Sequence, residues 1–443
     1  MMVPTTRRHT RLAIALSVSA LLATACGGGS EPADDSADDS AADQDGSVAT
    51  PSPAEQCDPD GMTIRATFVQ QGEVAAELAK EKLEAEHPGL TVELELSSAA
   101  GYDELTQQIV TDLAAGREHD VIMVGLGQTR FWVDEYEPAP IDPEKLEPSY
   151  DRSFLDIGEV DGAPYVAPFQ VSMPVLYTNT TLAGEAGVAA PPATTSELVE
   201  AARAVTEATD ASGAYLPQDR VADWLAQAYI QSAGATVVDD DGMPAFDTEQ
   251  GADGLSVYER LAAEELLEPV PVADAQSMFL TGQLGYLVYT PAAAAVFSEQ
   301  IGDSFEWTVS DLPVPDGGSP VLPAGGNGWM VLSSDGCRAS YASELIGAML
   351  DPEVVADSAR AFSYIPVDDV AAEELLADPL ADTPIGHAWD FDADLTAWGG
   401  WHGENTPQVN QILQDMVQRL SRGETVADVL PDIVEQIEAV VGQ

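Results

Sequence analysis

From Met62 to Val124 the apolar positions change period several times. Met62 to Val69 is apolar and rich in β-branched residues, the pattern of a strand, and Val74, Ala75, Leu78, Ala79 and Leu83 then recur at helical spacing. His87, Pro88 and Gly89 stop that helix. Val92, Leu94 and Leu96 alternate as a strand, Leu105, Ile109, Val110 and Leu113 mark a second helix ended by Gly116, and Val121 to Val124 reads as a buried strand. Strand, helix, strand, helix, strand predicts a mainly parallel sheet covered by helices, with a ligand crevice at the carboxyl ends of its strands. The loops Gln70 to Gly72 and Gly125 to Gln128 then face that crevice.

From Phe131 to Asp161 the chain is rich in Pro, Asp and Glu, and no regular element is evident. Tyr165 to Asn179 is β-branched and aromatic but interrupted by Pro168 and Pro174, which suits an edge strand or a crossing segment. Helical patterns follow at Ser196 to Thr209 and Val221 to Ala233. A hairpin is predicted over Ala235 to Phe246, with Asp239, Asp240, Asp241 and Gly242 in its turn; these acids lack the spacing of a calcium loop. Two amphipathic helices close the chain, lined by Ile412, Leu413, Met416, Val417 and Leu420 and by Val426, Val429, Leu430, Ile433 and Ile437. There is no internal repeat.

The N-terminus has a different logic. Arg7, Arg8 and Arg11 precede an apolar run, Leu12 to Leu22, that is too short to span a bilayer. Leu21, Leu22, Ala23, Thr24, Ala25 and Cys26 resemble the bacterial lipobox, so 1–25 reads as a lipoprotein signal peptide and Cys26 as its lipidation site. The paired arginines match a twin-arginine signal only in part, which leaves the export route open. Residues 26–56 are Asp, Ala, Ser, Pro and Glu with almost no large apolar side chain, a composition that cannot fold alone and reads as a disordered acidic tether. The protein is thus placed outside the cytoplasm, anchored to the outer face of the cell membrane, and the remainder is long enough for two ordinary domains.

The formal charge of −59 becomes −62 once the three arginines of the signal peptide are removed. Such a field disfavours nucleic acid and favours solubility; it could serve capture of a cationic ligand, but the acids are spread along the whole chain rather than gathered at one locus, the pattern of a solvated, salt-adapted surface. With Cys26 lipidated, Cys57 and Cys337 remain. In an oxidising compartment two thiols far apart in sequence read as a bridge, with two free thiols as the alternative. Closing so long a loop contributes on the order of 5 kcal/mol in the chain-entropy model.

No catalytic constellation survives inspection. A phosphate loop, a paired-histidine zinc helix and a Gly-x-Ser-x-Gly elbow are all missing, and acids are too common for any pair to be informative. The five histidines have no metal-ligand spacing, so neither a metal nor a cofactor is expected. Planar and amide side chains at predicted loops stand out instead: Gln70, Gln71, Gln128, Gln170, Tyr177, Tyr289, Asn327, Trp329, Trp389, Trp398 and Trp401. Aromatic faces stack on sugar rings or cations, and amides and phenols hydrogen-bond hydroxyls.

Asp161 to Phe169, followed by Val175 to Asn179 and then Ala186 and Gly187, resembles a stretch typical of the extracellular solute-binding lipoproteins of ATP-binding-cassette importers, in the family that includes maltose- and oligosaccharide-binding proteins. Thr178 stands where a second Tyr is usual. Weaker similarities follow in the expected order: Asp120 to Ile122, Gln231 to Phe246, Phe279 with Gly282 and Leu284 to Val288, Gly325 to Trp329, and Phe362 to Val367, with Gln283 where Lys is usual. The resemblance implies an α/β, two-lobed periplasmic-binding-protein-like fold of type II with three hinge crossings, near Phe169 to Met173, Gly318 to Pro323 and Ser363 to Val367. Lobe 1 would hold 57–168 and 324–362, and lobe 2 would hold 169–323 and 363–443. Both Cys57 and Cys337 then fall in lobe 1.

The resemblance also implies a monomeric, non-enzymatic protein that closes over a small-molecule solute and delivers it to permease subunits. It places Gln70, Gln71, Gly125, Gln128, Gln170, Tyr289 and the Gly-Gly loop with Asn327 and Trp329 at ligand-contacting positions, and Trp398 and Trp401 where the correspondence is poorer; Tyr177 joins them as a candidate by its side chain. Gln170 and Trp329 in particular should line an interlobe cleft. Scarce charge at most of these loops points to a neutral polyol such as a carbohydrate. A secreted carbohydrate-active enzyme and a ligand-sensing surface receptor are the alternatives, separated by turnover and by membrane partners.

Overall fold

The computed structural model describes residues 57–99, 101–391 and 393–442. The signal peptide expected over 1–25, the lipidation site Cys26 and the tether expected over 26–56 lie outside the described residues. In chain order the strands are β1 (Thr63–Phe68), β2 (Thr91–Leu96), β3 (Val121–Gly125), β4 (Glu159–Val160), β5 (Ala163–Pro164), β6 (Ala167–Ser172), β7 (Val175–Asn179), β8 (Ser212–Tyr215), β9 (Leu284–Tyr289), β10 (Trp307–Asp311), β11 (Val321–Pro323), β12 (Gly325–Val331) and β13 (Asp394–Thr396). Two main sheets define two lobes: β2-β1-β3-β12-β6 in the first and β10-β7-β9-β8 in the second.

The first lobe grows from the strand and helix pattern at its start. β1 pairs in parallel with β2 and β3, and the helices Glu73–Glu86 and Tyr102–Ala114 cover them. The first helix turns Ala75, Ala76, Ala79 and Leu83 inward while Val74 and Leu78 stay exposed. Small alanines let it lie close to the sheet, which rotates the buried face away from the one its larger residues suggest. Parallel pairing ends there, because β12 returns from the other lobe and runs antiparallel to both β3 and β6. In the second sheet only β8 and β9 are parallel. The expected mainly parallel sheet is therefore a mixed one.

The stretch Tyr165 to Asn179 is both an edge strand and a crossing: β6 forms the edge of the first sheet, the chain passes over at Met173 and Pro174, and β7 lies inside the second. A helix that was not expected, Thr129–Tyr136, follows the loop and runs into the segment that looked irregular, held by the buried Trp132 against Phe131 and Tyr136. The hairpin-like piece over 235–246 is present as an antiparallel bridge, Val238 to Pro244, with Asp239 donating to Met243 O and Ala245 to Val237 O, and Asp239 Oδ1 caps the turn by accepting from the amides of Asp241 and Met243.

The chain passes between lobes at Met173 and Pro174, at Ala324 between β11 and β12, and beyond Phe362. β6 carries residues 169–172 into the first sheet, so a lobe boundary after 168 would cut a strand. The third passage is longer than expected: Ile365 donates to Val171, and Asp369 donates to Ser149, before the chain reaches the second lobe. The closing helices Thr406–Ser421 and Val426–Val441 pack on helices Ala222–Ser232 and Glu249–Ala263 of that lobe. Cys57 and Cys337 are joined in a disulfide on the first lobe, where the hydroxyl of Tyr341 also donates to the carbonyl of Cys57 at 3.0 Å.

Candidate functional site

A cleft of about 680 Å³ lies between the lobes, where β1, β3 and β9 end and the crossings pass. From the first lobe come Gln71, Tyr102, Asp103, Glu104, Gly125, Gly127 and Gln128. The second lobe supplies Arg220, Val221, Asp223, Trp224, Gln276, Tyr289, Trp398, Asn410 and Gln414. Ser172, Gly325, Gly326 and Tyr364 belong to the passages between them. Gln71, Gly125, Gln128, Tyr289 and Trp398, all singled out from sequence, are thereby brought together.

On the first wall the helix Tyr102–Ala114 starts at the cleft and presents Asp103 and Glu104 in its first turn, where a helix N-terminus favours acids. Asp103 Oδ1 accepts from the side-chain amide of Gln128 at 2.6 Å, and the Gln128 carbonyl accepts from Thr106 at 2.8 Å. Gln128 is thus fixed in orientation rather than free to swing.

A strap after β13 carries Trp398 across the opening. Gln227 of the second lobe holds both sides of it, donating to Ala397 O at 2.9 Å and accepting from Gly399 N at 3.0 Å. The indole N–H of Trp398 donates to Asp223 Oδ2 at 3.1 Å, and its ring lies so close to Gly127 that a Cβ there would stand 2.6 Å from Cδ2. On the far side the amide of Gly403 donates to Asp134 Oδ2 at 2.6 Å, on the first-lobe helix. Trp224, whose indole N–H donates to Pro323 O at 2.7 Å, stands tilted against Trp398 with ring centroids 6.1 Å apart.

Several expected ligand contacts lie elsewhere. Gln170 and Asn327 are completely buried beneath the floor and form a relay: Gln170 donates to Gln71 O at 3.2 Å and to Ser358 at 2.8 Å, while Asn327 Nδ2 donates to Gln170 Oε1 at 2.7 Å and to the Tyr102 hydroxyl at 2.8 Å. Tyr102 in turn bonds Tyr364 on the third passage. Burial pushes the pKa of both phenols up, so both keep their protons. Trp329 is fully buried in the first-lobe core, edge-on to Phe68 and tilted against Phe169. Tyr177 is buried in the second lobe among Phe279, Phe297 and Trp307, its hydroxyl donating to Thr290 O at 2.8 Å. Trp401 is buried and Gln70 is exposed outside the cleft. So the cleft exists, but neither Gln170 nor Trp329 lines it.

With the cleft described, its kinship can be read. A family model for the bacterial extracellular solute-binding proteins matches residues 66–356. The chain belongs to that family. A Brucella abortus protein named only as a binding protein is 22% identical over 362 residues, covering 76% of this chain and 86% of its own. Among solved structures, a cyclic α-maltosyl-1,6-maltose binding protein from Arthrobacter globiformis superposes with a TM-score of 0.72 at 18% identity, covering 86% of this chain and 99% of its own. UgpB from Mycobacterium tuberculosis, solved with glycerophosphocholine, superposes with a TM-score of 0.71 at 19% identity, covering 85% and 98%. At such identities these likenesses establish the two-lobed fold.

For a solute-binding protein, the charge in this cleft is unexpected. Asp103, Glu104, Asp223 and Arg220 all line it, so the scarcity of charge anticipated from the loops does not hold. Asp223 is 3% exposed, and burial pushes its carboxyl up to about 6. It sits just after Val221, a β-branched residue held at φ +58°, a costly left-handed conformation at the start of the helix Ala222–Ser232. Asp219 steadies that turn by accepting from the amide of Val272 at 3.2 Å. Tyr102, Tyr364, Trp224 and Asp223 were missed because each lies on a helix or passage whose orientation the sequence does not reveal; the acids in a helix's first turn were the one available signal. Among the described residues no cluster of His, Cys, Asp and Glu could hold a metal ion, and no helix is long and apolar enough to cross a membrane.

Proposed function

We propose that this solute-binding protein captures a carbohydrate between its lobes and delivers it chemically unchanged to the permease of an ATP-binding-cassette importer. It works as a monomer held to the outer face of the cell membrane by a lipid on Cys26, with residues 26–56 as the tether. The observation that carries the reading is the composition of the cleft. Aromatic faces of Tyr102, Trp224, Tyr289 and Trp398 converge with the amides of Gln71, Gln128, Gln276, Asn410 and Gln414 on one space of about 680 Å³, which suits a ring stacked on its faces and hydrogen-bonded at its edges. Hinge closure about short passages encloses such a guest while both sheets move as rigid bodies.

Thermal unfolding in the presence of sugars, polyols, amino acids and quaternary amines tests this. A saccharide present at about a hundredfold its Kd adds roughly 2.7 kcal/mol of stability. Stabilisation by betaine or an amino acid, with none from any saccharide, would overturn the carbohydrate assignment. Loss of membrane attachment in Cys26→Ser is the corresponding check on the anchor.

A further inference from the structure

One side chain in the cleft is poorly matched to a neutral guest. Asp223 is an acid almost wholly removed from water; among the described residues its oxygens accept from the indole of Trp398 at 3.1 Å and the amide of Gln414 at 3.4 Å, and its own backbone N–H bonds it as well. Another acid, Asp103 from the opposite wall, acts on it as well and raises its pKa further. Acids outnumber bases in the lining, with Asp103, Glu104 and Asp223 against Arg220 alone, and Arg220 is exposed, its guanidinium 3.6 Å from where a side chain on Gly101 would begin. A buried carboxylate among neutral groups is costly unless a cation joins it.

Resting on the saccharide reading above, we infer that the solute is a sugar bearing a protonated amine, and that Asp223 is the residue selecting that amine. The amine approaches the carboxylate from the cleft, where Trp398 and Gln414 fix its two oxygens. Trp398, Trp224 and Tyr289 supply faces that suit both a sugar ring and a cation. The amides around them take the hydroxyls. The raised pKa of Asp223 fits this arrangement, because a seated ammonium favours the ionised form that burial disfavours. The strained Val221 that begins this helix is a local cost of the kind found where a binding group must be aimed.

The test is calorimetric titration of the full-length protein, at neutral pH, with one- to four-ring oligomers of glucosamine, their N-acetylated forms and the corresponding glucose oligomers, with betaine and spermidine as amines lacking a sugar ring. Glucosamine oligomers should bind at least about tenfold more tightly than their acetylated or glucose counterparts, as a hydrogen bond to a charged group gives. Asp223→Asn should abolish that preference, read as the ratio of amine to neutral affinities in the same variant, and Asp103→Asn should reduce it by about two- to threefold through longer-range attraction. Equal or tighter binding of neutral oligomers overturns the amine assignment and leaves the carbohydrate reading standing. Binding of betaine or spermidine with no saccharide binding overturns the carbohydrate reading as well. Failure of every glucosamine oligomer to bind at millimolar concentration also overturns the amine assignment. The wild-type titrations decide the matter even if Asp223→Asn folds poorly.

Discussion

The Asp223→Asn substitution also makes a prediction that needs no ligand. The carboxyl moves from an ordinary 3.8 to about 6 on folding, chiefly because burial disfavours its ionised form. The folded protein therefore holds this proton over a range where the unfolded chain has released it. Stability from this group is fully present below about pH 4, declines as pH rises toward 6, and stays lost above that. The gap corresponds to about 3 kcal/mol at neutral pH, since one pH unit is worth about 1.4 kcal/mol. Asparagine cannot ionise, so the variant escapes the penalty. It also turns one N–H group toward the donors Trp398 and Gln414, a pH-independent loss of about 1 kcal/mol. Urea unfolding of both proteins between about pH 4 and 8, followed by tryptophan fluorescence, isolates the effect because every other carboxylate is common to the two. The variant should gain on the wild type by about 2.4 kcal/mol across that range, mostly below pH 6.5. A difference that stays flat with pH, or that moves the opposite way, refutes the claim that this acid is buried without a compensating cation.

The remaining predictions concern the wall, the floor and the staple. Gly127→Ala places a Cβ 2.6 Å from the Trp398 ring and should weaken saccharide binding by about tenfold, because relieving an overpacked contact costs about 1–3 kcal/mol; titration with the tightest sugar found in the screen checks it. Asn327→Leu strands the Gln170 carbonyl and the Tyr102 hydroxyl and should cost about 1–3 kcal/mol, seen as a lower melting temperature, with unchanged melting as the contrary result. Cys57→Ser and Cys337→Ser each open a bridge between residues 280 apart, a loss of up to about 5 kcal/mol in the chain-entropy model. Because the two act through one bond, the double variant should melt no lower than the worse single one.

How far the site was legible can be judged on individual residues. Gln71, Gly125 and Gln128 follow β1 and β3, and the alternation of strands and helices alone places such loops at the strand ends that border a cleft. Gln170, Asn327 and Trp329 failed for a different reason. Successive side chains of a strand face opposite sides of the sheet, and β12 slips register against β6 between Asn327 and Gly328, so counting along the sequence does not say which residues look into the cleft. Gly326 shows the same constraint from the other side: at φ +98° a Cβ would meet Gln170 O at 1.8 Å, so that backbone contact, not a side chain, forms the floor.

The sequence by itself determined the first strands and helices of the first lobe, the order of weak family similarities along the chain, and the pair of distant thiols that suggests a bridge. Those are properties of neighbouring residues and of composition. Only the tertiary structure decided that β12 and β6 meet at the hinge, that Trp398 is carried back over Gly127, and that Asp223 from the second lobe faces Asp103 from the first. Burial and electrostatic environment depend on what other segments bring to a side chain. For Asp223 those segments lie 120 positions upstream and 175 downstream, beyond the reach of any local pattern.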